Sequence, residues 1–496
     1  MSTNYKFEIP EEVRNVSRVL SSAKFENYLV GGCVRDLLLG RKPKDWDITT
    51  IATPEEITPL FEHTFYENDY GTVGIVNETP REESLRVIEV TPYRTESGYS
   101  DFRRPDEVKW AKTLEEDLKR RDFTVNALAI KINEELGITN YELIDLVDGE
   151  GDIERKLIRT VGAPVERFSE DALRMLRALR LASELDFAIE SETLNAIDKH
   201  KSLLEKISKE RIRDEFIKIV MSPCPSVALG IATRLEMLGF ISPEFEKGIG
   251  MEQNKAHIYT VWEHLIRSLD HAASKNYPLY VRLAVLLHDI AKPHTRKDIN
   301  GQWTFYGHDI VGARIARNIL TDLRFPKEII EKVLKLVRWH MFFSETETIT
   351  LSAVRRIVRN VGPELIWDLM NVRGSDRTGM GRPKEVTYRL RKYHSMIEEV
   401  MRDPISVKQL SINGKDIMEL TKKGPGPHVG NILEILLAEV LDDPKNNDKK
   451  HLEARTLALI SLTPAELNRK GSESRSKNES EDEKQIEEIK DKYKVD

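Results

Sequence analysis

The chain has 496 residues, 32% of them charged, and a formal net charge of only −7. This length exceeds a single core and predicts three or four domains, and the mild charge means that any nucleic-acid surface is a local basic face. Cys33 and Cys224 are the only cysteines, which excludes a disulfide framework and a cysteine-rich zinc site. The first residues lack an apolar signal core and no membrane-spanning run occurs, so we expect a cytoplasmic protein without a membrane partner.

An amphipathic helix is predicted from Glu11 to Phe25, and it leads into a short apolar strand, a glycine turn and a second helix. Gly31 and Gly32 allow the backbone to turn tightly and to approach a ligand closely. The N–H groups at the start of the second helix favour an anion, and Arg35 adds a forked donor in its first turn. The pattern predicts a phosphate-binding turn.

Two carboxylates, Asp45 and Asp47, follow that turn in the sequence Asp-Trp-Asp-Ile-Thr. In a strand, residues two apart share a face, so we expect both side chains to point the same way. Adjacent carboxylates repel each other unless a cation lies between them, and Mg²⁺ prefers oxygen ligands and substrate phosphates. Alone, either motif is better explained as a surface turn or a solvated strand end. Their succession favours nucleotidyl transfer.

In this order the motifs resemble the class II nucleotidyltransferases that act on RNA 3′ ends, the family of tRNA CCA-adding enzymes and bacterial poly(A) polymerases. The resemblance is dense from Tyr28 to about Glu215 and looser to about Leu462. It implies an α+β fold in which a head with a small mixed β-sheet precedes helical domains. It also implies Mg²⁺ at Asp45 and Asp47.

Two alternating strands are predicted at Tyr70–Val76 and Leu85–Thr91. Glu89, in the second strand, is the candidate for a third catalytic carboxylate, because the family places an acidic residue there. An exposed strand glutamate is the alternative.

The polar, glycine-containing segment from Tyr93 to Val108 is predicted to be irregular. It resembles the flexible loop that the CCA-adding family associates with the switch to adding A. An ordinary surface loop is the alternative interpretation.

Arg120, Arg121, Asp122 and Asn126 match the arginine-rich motif of the same family. We expect the two arginines to begin an apolar helix, with Asp122 and Asn126 one turn apart on a polar face that binds triphosphate and ribose. The segment from Leu143 to Gly149 is predicted to close the sheet, before a domain boundary near residue 160.

The segment from Arg167 to Arg180 is predicted to open with Ser169 as an N-cap and then to continue as a helix. A solvated arginine face would explain its charges, but Asp171 lies one turn before Arg174. A carboxylate accepts from the exocyclic amine of cytosine or adenine, and a guanidinium donates to their ring acceptors, whereas uracil and guanine leave buried groups unpaired. In the resembling family this motif selects the base, with Arg177 and Arg180 toward the phosphates. Family poly(A) polymerases tend to lack the full motif, so its presence favours CCA addition.

Beyond Pro223 and Pro225, histidines and aspartates recur in helical segments. A lone helical histidine is more often a packed core residue than a ligand, but the ordered set resembles the HD phosphohydrolases over about residues 255 to 395. That resemblance implies a transition-metal site. Its ligands would be His264, His288, Asp289 and Asp376, with His308 and His340 as further candidates.

We therefore predict five segments: a nucleotidyltransferase head at 1–160, a helical neck at 161–222, an HD-type body at 223–395, a tRNA-binding helical tail at 396–465 and a disordered charged tail at 466–496. The resemblance implies untemplated addition of C, C and A to tRNA from CTP and ATP. A poly(A) polymerase, an enzyme adding only part of CCA, and an HD phosphohydrolase with an inert RNA-binding head remain alternatives. Oligomeric state stays open.

Overall fold

The structure is a computed structural model, and it describes residues 5–66, 71–97, 107–135, 138–253, 258–341, 349–382, 385, 387–401 and 407–474. The chain divides into two compact units, Met1–Pro243 and Glu244–Asp496.

The first unit opens with a mixed α/β region. Its elements are α1 (Glu11–Ser22), β1 (Asn27–Val30), α2 (Gly32–Leu38), β2 (Asp47–Thr50), α3 (Pro54–Ile57), β3 (Thr64–Tyr66), β4 (Val73–Val76), β5 (Val87–Pro92), β6 (Arg94–Ser97), β7 (Glu107–Trp110), α4 (Leu114–Lys119), β8 (Leu128–Glu135), β9 (Ile138–Asp145) and α5 (Gly149–Glu154).

Seven of these strands form one sheet in the order β3-β4-β5-β2-β1-β8-β9. β2 and β5 run parallel, and the other neighbouring pairs are antiparallel. The predicted small mixed sheet is therefore confirmed. All four residues of β1 are buried, as are Val13, Val16 and Leu20 of α1. The glycine turn consequently starts from the interior of the sheet, which holds it firmly.

Three local predictions for this region are wrong. Asp45 precedes β2, which begins at Asp47, so the two carboxylates do not share one strand. Arg120 and Arg121 follow α4 instead of opening a helix, and Asn126 lies in a short 3₁₀ turn. The segment after Tyr93 is not wholly irregular, because β6 and β7 pair as a hairpin. Residues 98–106 of the predicted loop lie outside the described residues.

The rest of the first unit is helical apart from a two-strand pair. Its elements are β10 (Leu157–Ile158), α6 (Pro164–Glu170), α7 (Leu173–Leu185), β11 (Ala188–Ile189), α8 (Ser191–His200), α9 (Lys209–Met221), α10 (Pro225–Arg234) and α11 (Leu238–Ile241). The helix predicted to follow Ser169 begins later, at Leu173, because α6 extends to Glu170 and the backbone at Asp171 is extended. Ser169 lies inside α6 and caps nothing.

The second unit is built almost entirely from helices, as predicted, with one short hairpin (β12–β13). Its elements are α12 (Val261–Ser274), α13 (Leu279–Leu287), α14 (Lys292–Thr295), β12 (Lys297–Ile299), β13 (Gln302–Thr304), α15 (His308–Asp322), α16 (Lys327–Trp339), α17 (Leu351–Val361), α18 (Ile366–Gly379), α19 (Tyr388–Val400), α20 (Gly414–Thr421), α21 (Pro427–Asp442) and α22 (Lys449–Ile460).

Helical backbone continues at residues 464–474, where the sequence predicted the start of a disordered tail. Leu467 explains the difference, because it is 3% exposed and packs into the core of α20–α22. Residues 475–496 of the predicted tail lie outside the described part of the chain. In that described part, no helix is both long and apolar enough to span a membrane.

Candidate functional site

The glycine turn between β1 and α2 is surrounded by charged side chains. Gly31 has φ +81°, and a Cβ there would lie 3.2 Å from Arg121 Nη1 and 3.4 Å from Asp47 Oδ2. A Cβ on Gly32 would lie 3.6 Å from Arg35 Nη2 and 3.9 Å from Asp45 Oδ1. Any side chain at these positions would occupy the space between the cations and the carboxylates. The structure therefore brings the predicted phosphate turn and the predicted carboxylate pair together.

Glu89 lies next to this carboxylate pair. β2 and β5 run parallel with Asp47 directly opposite Glu89, so their side chains share one face of the sheet. The oxygens of Asp45, Asp47 and Glu89 do not all come within 4.8 Å of one another, unlike the second cluster described below.

Arg120 and Arg121 are anchored by a buried carboxylate, that of Asp117. Arg120 Nη2 donates to Asp117 Oδ1 at 2.6 Å, and Arg121 Nη2 donates to Oδ2 at 3.1 Å. Burial alone would raise the pKa of Asp117, but Arg121 and Arg120 outweigh that effect and hold its pKa below the usual value. Asp117 therefore stays ionised and fixes both guanidinium groups.

Arg35 and Asn126 meet directly, although they come from separate motifs. Arg35 Nη1 donates to Asn126 Oδ1 at 2.8 Å, and Arg35 Nε and Nη2 donate to Asp36 Oδ1 at 2.9 and 2.7 Å. Asn126 is 9% exposed. The 3₁₀ turn thus places Asn126 beside the glycine turn without the helix that the sequence predicted.

Arg177 and Arg180 are each held by an acidic side chain. Arg177 Nη2 lies 2.7 Å from Asp122 Oδ2, and Arg180 Nε lies 2.9 Å from Glu215 Oε2. Burial would raise the pKa of Asp122, but Arg177 foremost, with Arg174, keeps that pKa below its ordinary value. The predicted arginine arc is therefore partly buried and paired, and not a solvated face.

Asp171 and Arg174 both bond to other groups of the chain. Asp171 Oδ1 accepts from Leu173 N at 3.1 Å, and its Oδ2 accepts from Arg211 at 2.7 Å. Arg174, 8% exposed, donates to Glu170 Oε2 at 2.5 Å. At the break between α6 and α7, each of the two side chains therefore pairs with a group of opposite charge: Asp171 with Arg211, and Arg174 with Glu170.

The second unit contains a buried cluster of all six predicted HD residues. His264, His288, Asp289 and Asp376 form one group, and Asp289, His308 and His340 form another; the ligand atoms of each group lie within 4.8 Å of one another. The Nε2 atoms of His264 and His288 are 3.1 Å apart, and those of His308 and His340 are 3.2 Å apart. Asp289 belongs to both groups, so its carboxylate lies between them.

Backbone carbonyls orient three of these imidazoles. Nδ1 of His288, His308 and His340 lies 2.7, 2.6 and 2.6 Å from a carbonyl oxygen three residues earlier. An Nδ1–H donated in this way leaves the Nε2 lone pair available to a metal. Two Nε2 atoms facing each other at about 3 Å need a proton or a cation between them. Buried histidines and carboxylates so arranged fit a transition-metal ion.

Charges in this cluster shift its pKa values. Burial would lower the pKa of His288, but Asp289 and Asp376 raise it to about 10. Burial and then two neighbouring imidazoles lower the pKa of His340, with Asp289 opposing them. Against the effect of burial, Lys292 helps to lower the pKa of Asp289, because its Nζ lies 2.5 Å from Asp289 Oδ2. The pKa of His288 is thus raised while that of His340 is lowered, which shows that the cluster contains strong local charges. A bound cation would interact with the same carboxylates.

Sequence reasoning missed the side chains that position the others, which are Asp117, Arg211, Glu215 and Lys292. Asp117 had a local signal, since it precedes Arg120 and Arg121 by three and four residues and i,i+3 and i,i+4 pairs meet on a helix. Lys292 stands three residues after Asp289 with the same spacing. Arg211 and Glu215 reach Asp171 and Arg180 from a different helix, and nothing in the local sequence indicates that.

Three known families match separate parts of the chain. Residues 27–159 match the Poly A polymerase head domain, residues 186–249 match the probable RNA and SrmB-binding site of polymerase A, and residues 256–380 match the HD domain. With the sheet and the clusters above, these matches define a nucleotidyltransferase that carries an HD domain.

Comparison with individual proteins identifies the family more closely. A CCA-adding enzyme of Enterococcus faecalis is 32% identical over 450 residues, which cover 90% of this chain and 95% of the relative. A CCA-adding enzyme of Lactobacillus johnsonii is 50% identical over 209 residues, 42% of this chain and 49% of the relative. The crystal structure of the Bacillus stearothermophilus CCA-adding enzyme in complex with CTP is 27% identical, with a TM-score of 0.67 over 91% of this chain and 98% of that one. The chain belongs to the CCA-adding enzyme family.

Proposed function

We propose that this protein adds C, C and A to the 3′ end of tRNA, using CTP and ATP as substrates and no nucleic-acid template. The observation that carries the proposal is the convergence of Asp45, Asp47, Arg35 and Arg121 on one glycine turn. Membership of the CCA-adding family supports this product over the poly(A) alternative. The two free cysteines, Cys33 and Cys224, support a reducing compartment such as the cytoplasm.

The family implies a divalent metal, and we assign Mg²⁺ to Asp45 and Asp47, with Glu89 assisting from the neighbouring strand. The donor set fits, because it contains only carboxylate oxygens and faces the space that glycine leaves open. When bound, the ions would lower the pKa of the tRNA 3′-hydroxyl and neutralise the triphosphate. The chain's own task is to align its carboxylates toward that space.

The cationic groups on the opposite side of the turn bind the triphosphate. Arg121 faces Gly31, and Arg35 faces Gly32, so both guanidinium groups can donate to phosphate oxygens close to the backbone N–H groups of α2. Asp117 keeps Arg120 and Arg121 in place. Asn126, already paired with Arg35, is the candidate for the ribose hydroxyls.

Asp171 and Arg174 select the base. Asp171 accepts from the exocyclic amine of cytosine or adenine, and Arg174 donates to the ring acceptors, so uracil and guanine would leave both side chains unpaired. The nucleotide must replace the Arg211–Asp171 and Arg174–Glu170 contacts, at 2.7 and 2.5 Å. Arg177 and Arg180 remain paired to Asp122 and Glu215 and contribute positive charge toward the phosphates.

A second activity, phosphoester hydrolysis at the HD cluster, is favoured by the shared position of Asp289 between two groups of ligands. His264, His288, Asp289 and Asp376 would hold a transition metal, and His308 and His340 would hold another with Asp289. A metal held there would supply an activated water for attack on phosphorus. A 2′,3′-cyclic phosphate on damaged RNA is the substrate that suits the pairing, since hydrolysis of its P–O3′ bond frees the 3′-hydroxyl on which the head acts and leaves the phosphate as a monoester on O2′.

The head assignment is tested by Asp45→Ala and Asp47→Ala in the full chain. We expect incorporation of labelled CTP and ATP into tRNA lacking CCA to fall below detection, with tRNA affinity retained, because the pair serves the metal and not packing. Asp198→Ala, an exposed aspartate of the same unit, is the matched control. Substantial turnover by either active-site variant would refute the assignment.

A further inference from the structure

The β12–β13 hairpin carries a cationic and aromatic surface directly before one residue of the HD cluster. The Arg296 guanidinium stacks over the Trp303 ring, with 3.5 Å between its Cζ and the ring centroid. Tyr306 is 40% exposed, and Ile310 is 53% exposed. His308 lies between these two residues, and its Nδ1 is 2.6 Å from Phe305 O. The segment that follows β13 therefore leads directly into the cluster at His308.

Arg296 lacks an acidic partner in the described part of the chain. Its Nε is buried without a hydrogen bond, and its guanidinium makes a cation–π contact with the Trp303 ring. The neighbouring acid, Asp298, is committed to the turn, because its Oδ1 accepts from Gly301 N at 2.8 Å. Lys297 is exposed. The hairpin consequently carries two cationic side chains, Arg296 and Lys297, against one carboxylate, that of Asp298, which forms no ion pair with Arg296 in the described part of the chain.

Stacked arginine and tryptophan form a flat surface, and nucleobases stack on such surfaces whatever their sequence. The exposed Tyr306 and the partly exposed Trp303, beside an excess of cationic side chains, suit a flexible single strand, whose bases can stack while its phosphates meet Arg296 and Lys297. An acidic peptide could satisfy the charges, but it would leave the aromatic faces without a planar partner.

We propose that Arg296, Trp303 and Tyr306 form a stacking site for the unpaired 3′-terminal nucleotides of RNA. The site would guide a terminal phosphate into the cluster of His308 and Asp289. The inference deepens the proposed HD activity and rests on it for the nature of the terminal group. The position of the RNA on the hairpin can be measured whether or not the cluster hydrolyses anything.

The first experiment is photo-cross-linking of the full-length, metal-supplemented protein to a short oligoribonucleotide with 5-iodouridine next to its 3′ end. Peptide mass spectrometry then locates the adducts. We expect adducts on Trp303 or Tyr306 in the parent protein. In Trp303→Leu the adduct at position 303 should be lost. Trp303→Phe keeps an aromatic face and should keep cross-linking at Tyr306. Trp367→Leu, at an exposed tryptophan packed on His394 instead, is the control.

The second measurement compares oligoribonucleotides that end in a 2′,3′-cyclic phosphate with abasic versions carrying the same phosphates. Trp303→Leu should raise KM for the base-containing substrate about five- to 150-fold, the range expected for loss of one stacked base, and leave kcat and CCA addition unchanged. Adducts confined to peptides outside 296–310 would overturn the proposal. Equal binding of abasic and normal oligonucleotides would overturn it too, because the surface would then recognise anions only. Absence of hydrolysis with hairpin adducts present would refute the HD activity and retain the RNA site.

Discussion

At the scale of single residues, base choice depends on whether Arg174 contacts a base or only a phosphate. Its side chain is 8% exposed and pairs with Glu170, so a nucleotide that replaces this contact must offer matching acceptors. We expect Arg174→Ala to admit UTP and GTP before phosphate binding is lost. Misincorporation measured with each nucleotide separately checks this.

The matched control is Arg86→Ala, an exposed arginine of the same unit paired with Glu83. If selectivity for C and A survives in Arg174→Ala while KM rises equally for all nucleotides, Arg174 is a phosphate contact and the base assignment is wrong.

Asp117 tests the positioning of the phosphate-binding arginines. Asp117→Asn removes the charge that fixes Arg120 and Arg121, and we expect KM for CTP and ATP to rise by about tenfold or more, since each lost charge-assisted bond costs roughly 1.5–3 kcal/mol. Steady-state kinetics measure the effect. Glu115→Gln, an exposed acid on the same helix, should change little.

The depressed pKa of Asp117 also sets a pH dependence. Its ionised form stabilises the fold above the unfolded-state pKa of about 3.9, and that contribution is lost as pH falls through the lower folded-state pKa. The difference in Tm between the parent and Asp117→Asn should therefore be constant near neutrality and shrink only below about pH 4. A difference that shrinks at pH 6 to 7 would show that another group is responsible.

At the scale of elements, the sequence predicted individual helices and strands better than the points where they end or pair. The glycine turn, the strands around Asp47 and Glu89, and the helices of the HD unit follow from local patterns of apolar residues. The break at Asp171 does not, because local helix propensity is continuous there and the interruption is stabilised by Arg211 from α9. Likewise, β6 and β7 pair across a polar, glycine-containing segment whose composition predicted a loop and not a strand pair.

Between β6 and β7 lies the segment that resembles the family's flexible loop, and we propose that it takes part in the change from adding C to adding A. On this proposal, shortening residues 98–106 should leave tRNAs that end in CC, because the addition of C would not need that segment and the change of nucleotide would. Sequencing of the 3′ ends gives the result directly.

A loop of equal length built from Gly and Ser separates length from side-chain chemistry in the same assay. Complete CCA formation by the shortened enzyme would show that this segment has no part in the switch.

At the scale of the whole molecule, we propose two independent activities, because the two clusters lie in separate compact units. His288→Ala should abolish metal retention and phosphoester hydrolysis in the second unit, because it removes a ligand, and should leave CCA addition unchanged. Elemental analysis together with both activity assays measures this. His200→Ala, in the first unit, is the control. Hydrolysis that persists in His288→Ala, or parent protein without metal after careful elemental analysis, would count against the HD assignment.

The measurement that most directly tests the central claim is sequencing of tRNA 3′ ends after incubation of the purified full chain with tRNA lacking CCA, Mg²⁺ and all four nucleoside triphosphates. The account predicts products that end in C, C and A and stop there, without U or G, since Asp171 and Arg174 reject those bases and the head needs no template. Runs of A without C, addition of A only to tRNA that already ends in CC, or no addition at all would contradict it.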